Sequence, residues 1–215
     1  MLNIKSDNVI HLTHDDLYVD MTINKGEAVA LLGDNGVGKS SFIQYLKINQ
    51  REIFRGCNVS FLDQFRLMPL GVLRGIDLFE MLRSYAPKRV IYQSLDSYQL
   101  IDKFNFRDKL KTSINSLSGG ENQILKILAT FYFKTDFFCL DEPSNCLDPN
   151  RLNTVAQLIK DSLKDDKSFL IIDHKTELLK ILCTHFMVFK KNQGKIYLNE
   201  YVDKEKLEDG LFNFY

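Results

Sequence analysis

Short apolar runs of strand length recur along the chain, with polar stretches between them. The runs at 28–32, 137–140 and 169–172 are continuously apolar, which is typical of strands buried on both faces of a parallel sheet. Residues 19–23 alternate between apolar and polar side chains, so they predict a half-buried strand in an N-terminal antiparallel hairpin. Further strands are predicted at 57–62, 186–189 and 194–198.

Helical periodicity appears between these runs. Apolar residues from Ile124 to Phe131 repeat at i, i+3, i+4 and i+7, which predicts a helix that follows the pair Gly119-Gly120. A looser helical spacing over 89–104 predicts further helix in an insertion between two core strands. Other helices are predicted to begin at Phe42 and near Ile76, and to span 149–164 and 176–182.

The alternation of strands and helices predicts an α/β fold. A length of 215 residues suits one domain with a substantial core. We therefore expect a single domain over 1–215, with a core formed by 1–64 and 117–215 and a small α-helical insertion subdomain at about 65–116.

Charge and composition argue against several classes of function. The chain has 28 Lys and Arg against 28 Asp and Glu, so its formal net charge is zero and extensive nucleic-acid binding is not expected. No apolar run approaches the roughly 20 residues that span a bilayer, and the N-terminus lacks the layout of a signal peptide. The four cysteines form no C-x-x-C pair, which favours a reducing, cytoplasmic compartment.

A glycine-rich loop follows the apolar run at 28–32 and leads into a predicted helix. Its G-x-x-x-x-G-K-S pattern predicts a phosphate-binding loop, because glycines let successive amides face one concavity at a helix N-terminus. Lys39 can reach the β- and γ-phosphates and Ser40 can ligate Mg²⁺. The alternative is an ordinary glycine-rich turn. The loop residues are Gly33, Asp34, Asn35, Gly36, Val37, Gly38, Lys39, Ser40 and Ser41.

Polar side chains end two of the predicted core strands. Asp141 and Glu142 follow the run at 137–140, at the edge of a parallel sheet where ligands bind. Asp141 can then hold Mg²⁺ opposite Ser40, and Glu142 can act as general base for an attacking water. His174 ends the next apolar strand and can face the same phosphate. The alternatives are two acids in a solvated turn and a structural histidine.

A second candidate anion site lies at the start of the helix that contains Ile124. Ser118, Gly119, Gly120 and Glu121 form a polar turn there, and a helix N-terminus attracts anions. The alternative is an N-cap followed by a flexible turn.

Taken in this order, the motifs resemble the ATP-binding cassette (ABC) ATPases over essentially the whole chain. Such a protein has a P-loop NTPase fold of ABC type, with an N-terminal antiparallel β subdomain and a small α-helical insertion. The stretches that carry the resemblance are similar to Walker A (33–41), the Q-loop glutamine (Gln64), the signature (117–121), Walker B with its glutamate (137–142), the D-loop (144–148) and the switch histidine (His174).

The resemblance implies an Mg²⁺-dependent ATPase that works as a head-to-tail homodimer or heterodimer of cassettes. Ser118 to Gly120 of one cassette, with its Asp148, would then complete the ATP site of the other. Gln64 would touch Mg²⁺ or water, alongside the metal ligands Ser40 and Asp141. The catalytic residues implied are Glu142, His174, Gln64 and Lys39.

Two cellular roles follow from the resemblance. One is the cytoplasmic ATPase subunit of a transporter, peripheral at the inner face of the membrane, whose separate permease docks in the Pro- and Gly-broken stretch 65–79. The other is a soluble ABC-F-like factor on ribosomes or another nucleoprotein, since Glu121 and the stretch 141–148 are similar to that subfamily. His11 is a candidate to stack on adenine, with a solvated turn as its alternative.

Overall fold

The computed structural model describes residues 2–4, 9–12, 16–63, 73–92, 94–192 and 195–203. The predicted Q-loop residue Gln64 and the first part of the predicted permease groove, 65–72, lie outside these ranges.

Within the described ranges, eight strands form one mixed sheet in the order β2-β3-β10-β9-β5-β8-β7-β6, and β1 pairs antiparallel with β4 in a separate two-stranded sheet. The expected α/β class is therefore confirmed. The strands are β1 (Leu2–Ile4), β2 (Val9–His11), β3 (Asp16–Val19), β4 (Met21–Ile23), β5 (Ala28–Leu32), β6 (Val59–Leu62), β7 (Phe137–Asp141), β8 (Ser168–Ile172), β9 (His185–Asn192) and β10 (Lys195–Asp203).

The predicted strand at 19–23 corresponds mainly to β4, which pairs antiparallel with β1, whereas the hairpin formed by β2 and β3 lies before it and joins the parallel strands indirectly. Strands β9, β5, β8, β7 and β6 are mutually parallel. The hairpin reaches them only through β10, which pairs parallel with β3 and antiparallel with β9. The N-terminal and C-terminal parts of the chain therefore complete one continuous sheet.

Helices cover both faces of the sheet, and each face has its own buried apolar cluster. One cluster contains Phe42 and Ile43 of the first helix, and the other contains Leu125 and Ile159 of two later helices. None of the helices in the described ranges combines the length and apolar character that a bilayer-spanning helix needs. The helices are α1 (Lys39–Ile48), α2 (Gln50–Ile53), α3 (Gly75–Tyr85), α4 (Leu100–Lys103), α5 (Gly119–Phe131), α6 (Pro149–Lys164) and α7 (Thr176–Leu182).

The prediction of helix over 89–104 is wrong for most of this stretch, because among its described residues only the single turn α4 is α-helical. Ser97 explains part of the difference. Its amide donates to Ser94 Oγ and its hydroxyl donates to Ser94 O, and such local bonds compete with helix formation. Tyr98 is nevertheless 1% exposed and donates its hydroxyl to Leu128 O, so the apolar spacing marked core contacts.

Candidate functional site

Three loops meet at one edge of the sheet because β5, β8 and β7 are parallel neighbours whose carboxyl ends lie together. A cleft of about 240 Å³ opens between them. Glu142 and His174 line it, as the sequence predicted, together with Ile172. The phosphate loop contributes Asn35, Gly36, Gly38, Lys39, Ser40 and Ser41.

The backbone of the loop has a positive φ at all three of its glycines, and at two of them the surroundings also crowd a Cβ. Gly33 has φ +141°, and a Cβ there would lie 2.9 Å from Phe189 Cβ. Gly38 has φ +110° as the N-cap of α1, and a Cβ there would lie 3.1 Å from Leu12 Cδ1. Leu12, which follows β2, therefore packs against the loop, a contact that the sequence did not reveal.

The N-terminus of α1 presents amides to the cleft. Phe42 N donates to Gly38 O at 2.9 Å, so the preceding amides of α1 have no partner within the helix. The helix begins at Lys39, three residues before the predicted start at Phe42, and its first turn contains no acidic residue. This end of α1 can therefore accept an anion.

Lys39 lies folded against its own loop. Its ammonium donates to Gly33 O at 2.6 Å and to Asp34 O at 2.9 Å. Loss of solvent around the ammonium lowers the pKa of Lys39, while Asp34, Asp141 and Glu142 act in the opposite direction. An ammonium that is partly desolvated and held by neutral carbonyls gains a stronger partner when a phosphate oxygen enters the cleft.

Asp141 at the end of β7 lies beside Ser40 and is 4% exposed. Burial raises the pKa of the Asp141 carboxyl from 3.8 to about 6, although a hydrogen bond from the Ser40 hydroxyl acts to lower it. Its Oδ1 is buried and has no hydrogen-bond partner among the described residues.

This pair fits a magnesium ion. Carboxylate and hydroxyl oxygens are hard ligands, and an unpartnered buried oxygen at Asp141 is open to a cation. The described ranges contain no group of three or more His, Cys, Asp and Glu side chains that could hold a metal by themselves. Mg²⁺ needs no such group, because it commonly takes one or two protein ligands together with phosphate oxygens and waters.

Glu142 is held in a strained conformation with its side chain in the cleft. Its φ is +52°, which non-glycine residues rarely adopt, and its amide donates to Ile172 O at 2.8 Å. His174 Nε2 lies 2.9 Å from Glu142 Oε1. Because an ionised carboxylate only accepts, this contact assigns the hydrogen to Nε2. Asn145 Nδ2 donates to Oε2 at 3.3 Å, a partner that the sequence analysis did not single out.

A buried carboxylate joins the loops that carry Glu142 and His174. Asp173 is 8% exposed and accepts hydrogen bonds from Ser144 Oγ at 2.7 Å, from Ser144 N at 3.0 Å and from Lys175 N at 2.8 Å. The sequence analysis missed this pair of residues. One signal for Asp173 was present in the sequence, because this aspartate lies between an apolar strand and the predicted histidine.

The second candidate anion site forms a capped helix start. Ser118 caps α5: its Oγ accepts from Glu121 N at 3.3 Å and its own amide donates to Glu121 Oε2 at 2.8 Å. Lys109 lies 2.7 Å from Glu121, and this contact, with the Ser118 amide, lowers the pKa of Glu121 to about 2. A Cβ on Gly120 would lie 2.6 Å from Cys146 O, so only glycine permits this approach.

The two candidate anion sites are separate within one chain. Neither 118–121 nor Asp148 is among the described residues that line the cleft. Asp148 caps α6, since its Oδ1 accepts from Arg151 N at 3.0 Å. His11 is exposed and lies 2.7 Å from Asp16 Oδ1.

The sequence of this chain is similar to those of known proteins. Residues 18–145 match the family model described as "ABC transporter". The chain is 25% identical over 194 residues to the lipoprotein-releasing system ATP-binding protein LolD of Buchnera aphidicola, covering 79% of this chain and 84% of the relative. It is 28% identical over 187 residues to a probable amino-acid ABC transporter ATP-binding protein of Haemophilus influenzae, covering 75% and 73%.

Solved structures share the fold. A structure titled "Structure of ATP binding subunit of ABC transporter" has a TM-score of 0.77 at 17% identity and covers 97% of this chain and 92% of its own. A model of ribosome-bound archaeal Pelota and ABCE1 has a TM-score of 0.75 at 23% identity. The match covers 92% of this chain and 34% of the solved chain, and an identity of 23% shows only that the two chains share a fold.

Replacement of Lys39 by Ala is expected to weaken ATP binding by roughly tenfold or more, because it removes a charge-assisted partner for the phosphates. Lys164→Ala is the control, since Lys164 pairs with Asp161 on the surface of α6. Fluorescence titration with a labelled ATP analogue measures both affinities. Equal affinities in the two variants would contradict the assignment of the phosphate loop.

Replacement of Asp141 by Asn is expected to stabilise the ligand-free protein at about pH 8, with a melting temperature higher by about 2–4 °C. The folded-state pKa is raised, so the buried anion destabilises the fold above about pH 6, and this cost fades as pH falls from about 6 towards 3.8. Melting curves across this range check the trend.

The Asp141→Asn variant is also expected to lose the extra stabilisation that Mg²⁺ adds to the ATP-bound protein. A variant that retains this stabilisation would contradict metal binding at Asp141.

Proposed function

Because this chain belongs to the ABC transporter family, we propose that it is an ATP-binding and ATP-hydrolysing subunit that pairs with a second cassette and drives a separate transmembrane permease. The observation that carries the proposal is the cleft in which the phosphate loop, Glu142 and His174 meet, with Asp141 and Ser40 beside it.

Each side chain has a task in this proposal. The amides at the start of α1 and the ammonium of Lys39 bind the phosphates of ATP. Ser40 and Asp141 hold Mg²⁺, which neutralises charge on the phosphate oxygens. Glu142 orients a water and takes its proton, while His174 fixes the direction of the carboxylate and contacts the γ-phosphate. Gln64 is proposed to contact the metal or that water.

Pairing of cassettes is proposed from the separation of the two anion sites. The phosphate cleft is open, and Ser118 to Gly120 lie outside it in the same chain. In a head-to-tail dimer the start of α5 in one cassette would cover the γ-phosphate held by the other, and Asp148 would add a contact from the same side. The partner is a second copy of this chain or a related cassette.

The transporter role is supported by the relatives and by one exposed helix face. LolD is named as the ATP-binding protein of a lipoprotein-releasing system and the Haemophilus influenzae protein as that of an amino-acid ABC transporter, and the chain spans 84% and 73% of their lengths. Met81 and Tyr85 lie one turn apart on α3 and are 48% and 94% exposed. This apolar pair lies beyond the predicted groove 65–79, on the helix that begins inside it, and it can receive a permease segment at the inner face of the membrane.

A soluble role in translation is the second candidate. Glu121 and the stretch 141–148 favour it, since they are similar to the ABC-F subfamily. The chain is also 28% identical over 203 residues to the ATP-binding protein Uup of Buchnera aphidicola, a name that states no cellular role. The match covers 32% of Uup, so the greater part of that relative lies outside it. The formal charge of zero gives this chain no basic surface excess for RNA.

Replacement of Glu142 by Gln is expected to reduce ATP hydrolysis by about a hundredfold and to leave ATP binding intact, since the amide cannot take a proton from water. ATP-loaded dimers should then persist. Phosphate release and light scattering at saturating Mg²⁺-ATP measure the two effects. Glu177→Gln on α7 is the control, because Glu177 is 87% exposed. A Glu142 variant that remains monomeric would contradict ATP-driven pairing.

The two roles are separated by fractionation of cells that express the full chain. We expect the protein with the membrane fraction, and we expect Tyr85→Glu to release it without changing ATP affinity, because a charge at this exposed ring opposes apolar docking. Immunoblots of membrane pellets and ribosome gradients give the readout. ATP-dependent sedimentation with ribosomes, unchanged in Tyr85→Glu, would favour the translation role.

A further inference from the structure

Gln123 connects the second anion site to the strained glutamate of the first. It lies on α5, one turn after Gly119, and is 9% exposed. Its Nε2 donates to Glu142 O at 2.9 Å and to Pro143 O at 3.4 Å. Both carbonyls belong to the loop that directly follows β7.

The backbone of Glu142 needs outside support. A residue that precedes proline is biased towards extended conformations, yet Glu142 has φ +52° immediately before Pro143. Its amide donates to Ile172 O of β8, and its carbonyl accepts from Asn145 N at 3.1 Å within the loop and from Gln123 Nε2 of α5 at 2.9 Å. The bonds to β8 and α5 come from outside the loop and hold the backbone from which the carboxylate projects.

We propose that Gln123 is a positioning residue for ATP hydrolysis, which acts by holding the backbone of Glu142 so that its carboxylate points at the attacking water. This inference rests on the proposed function. Gln123 is not among the residues that line the described cleft, so its effect passes through Glu142. A donor is required, because both of its partners are carbonyl oxygens that only accept.

Gln123 lies on the same helix as the second candidate anion site. Ser118 begins the same helix, so a shift of the helix start on binding an anion moves the amide that holds Glu142. The same helix thus serves the site it caps in a partner cassette and the glutamate of its own chain.

The test compares Gln123→Met with Thr130→Val in the full chain. Methionine keeps the shape of glutamine and removes the donor. Thr130 is 7% exposed on the same helix and donates to Lys126 O, so its replacement by Val disturbs α5 without touching Glu142. We expect kcat to fall about tenfold or more in Gln123→Met, with ATP affinity within about twofold of wild type and a melting temperature close to that of Thr130→Val.

A double-mutant cycle separates positioning from general stability. In the Glu142→Gln background, single-turnover hydrolysis should be insensitive to Gln123→Met, because the carboxylate on which Gln123 acts is absent. An unchanged kcat in Gln123→Met, parallel losses of kcat and affinity in both α5 variants, or additive effects in the cycle would each overturn the inference. A wild-type protein that does not hydrolyse ATP would instead overturn the proposed function.

Discussion

Parallel hydrogen bonding among β5, β8 and β7 is the constraint from which the site follows. It brings three carboxyl ends to one edge of the sheet, although the strands are far apart in sequence. The phosphate loop, Glu142 and His174 then face one cleft, with Asp141 beside Ser40. Close packing on both faces keeps the three strands in register, since a slip of one residue would move each side chain into the other, differently shaped apolar cluster.

The cleft contains several polar groups whose bonding is incomplete or exchangeable. The first amides of α1 lack helical partners, Asp141 Oδ1 is unpartnered among described atoms, and Lys39 is bonded to carbonyls of its own loop. The fold tolerates these groups because the strands beneath them are buried. Such a site is ready for an anion accompanied by a cation, which agrees with membership of an ATP-binding family.

Local patterns predicted much of this arrangement. The phosphate loop could be recognised because each of its parts is adjacent in sequence, and β7 and β8 were located by uninterrupted apolar runs. The roles of Gln123 and Asp173 could not be recognised in the sequence. Their partners Glu142 and Ser144 lie 19 and 29 residues away and come close only in the folded sheet. The stretch 89–104 was misjudged for a related reason: its apolar spacing reflects contacts with α5, and serine side chains satisfy its backbone in place of helix bonds.

The position of β5 at the centre of the sheet also constrains how the protein is made. Its neighbours, β8 and β9, both come from residues 168–192, so the strand that carries the phosphate loop leaves the ribosome early and has no partner until most of the chain has followed. Pairing at such sequence separation is slow and leaves an apolar strand with open edges. The nucleotide site therefore forms only after β8 and β9 have been synthesised, and a chain that stalls before them would expose β5 to chaperones and aggregation.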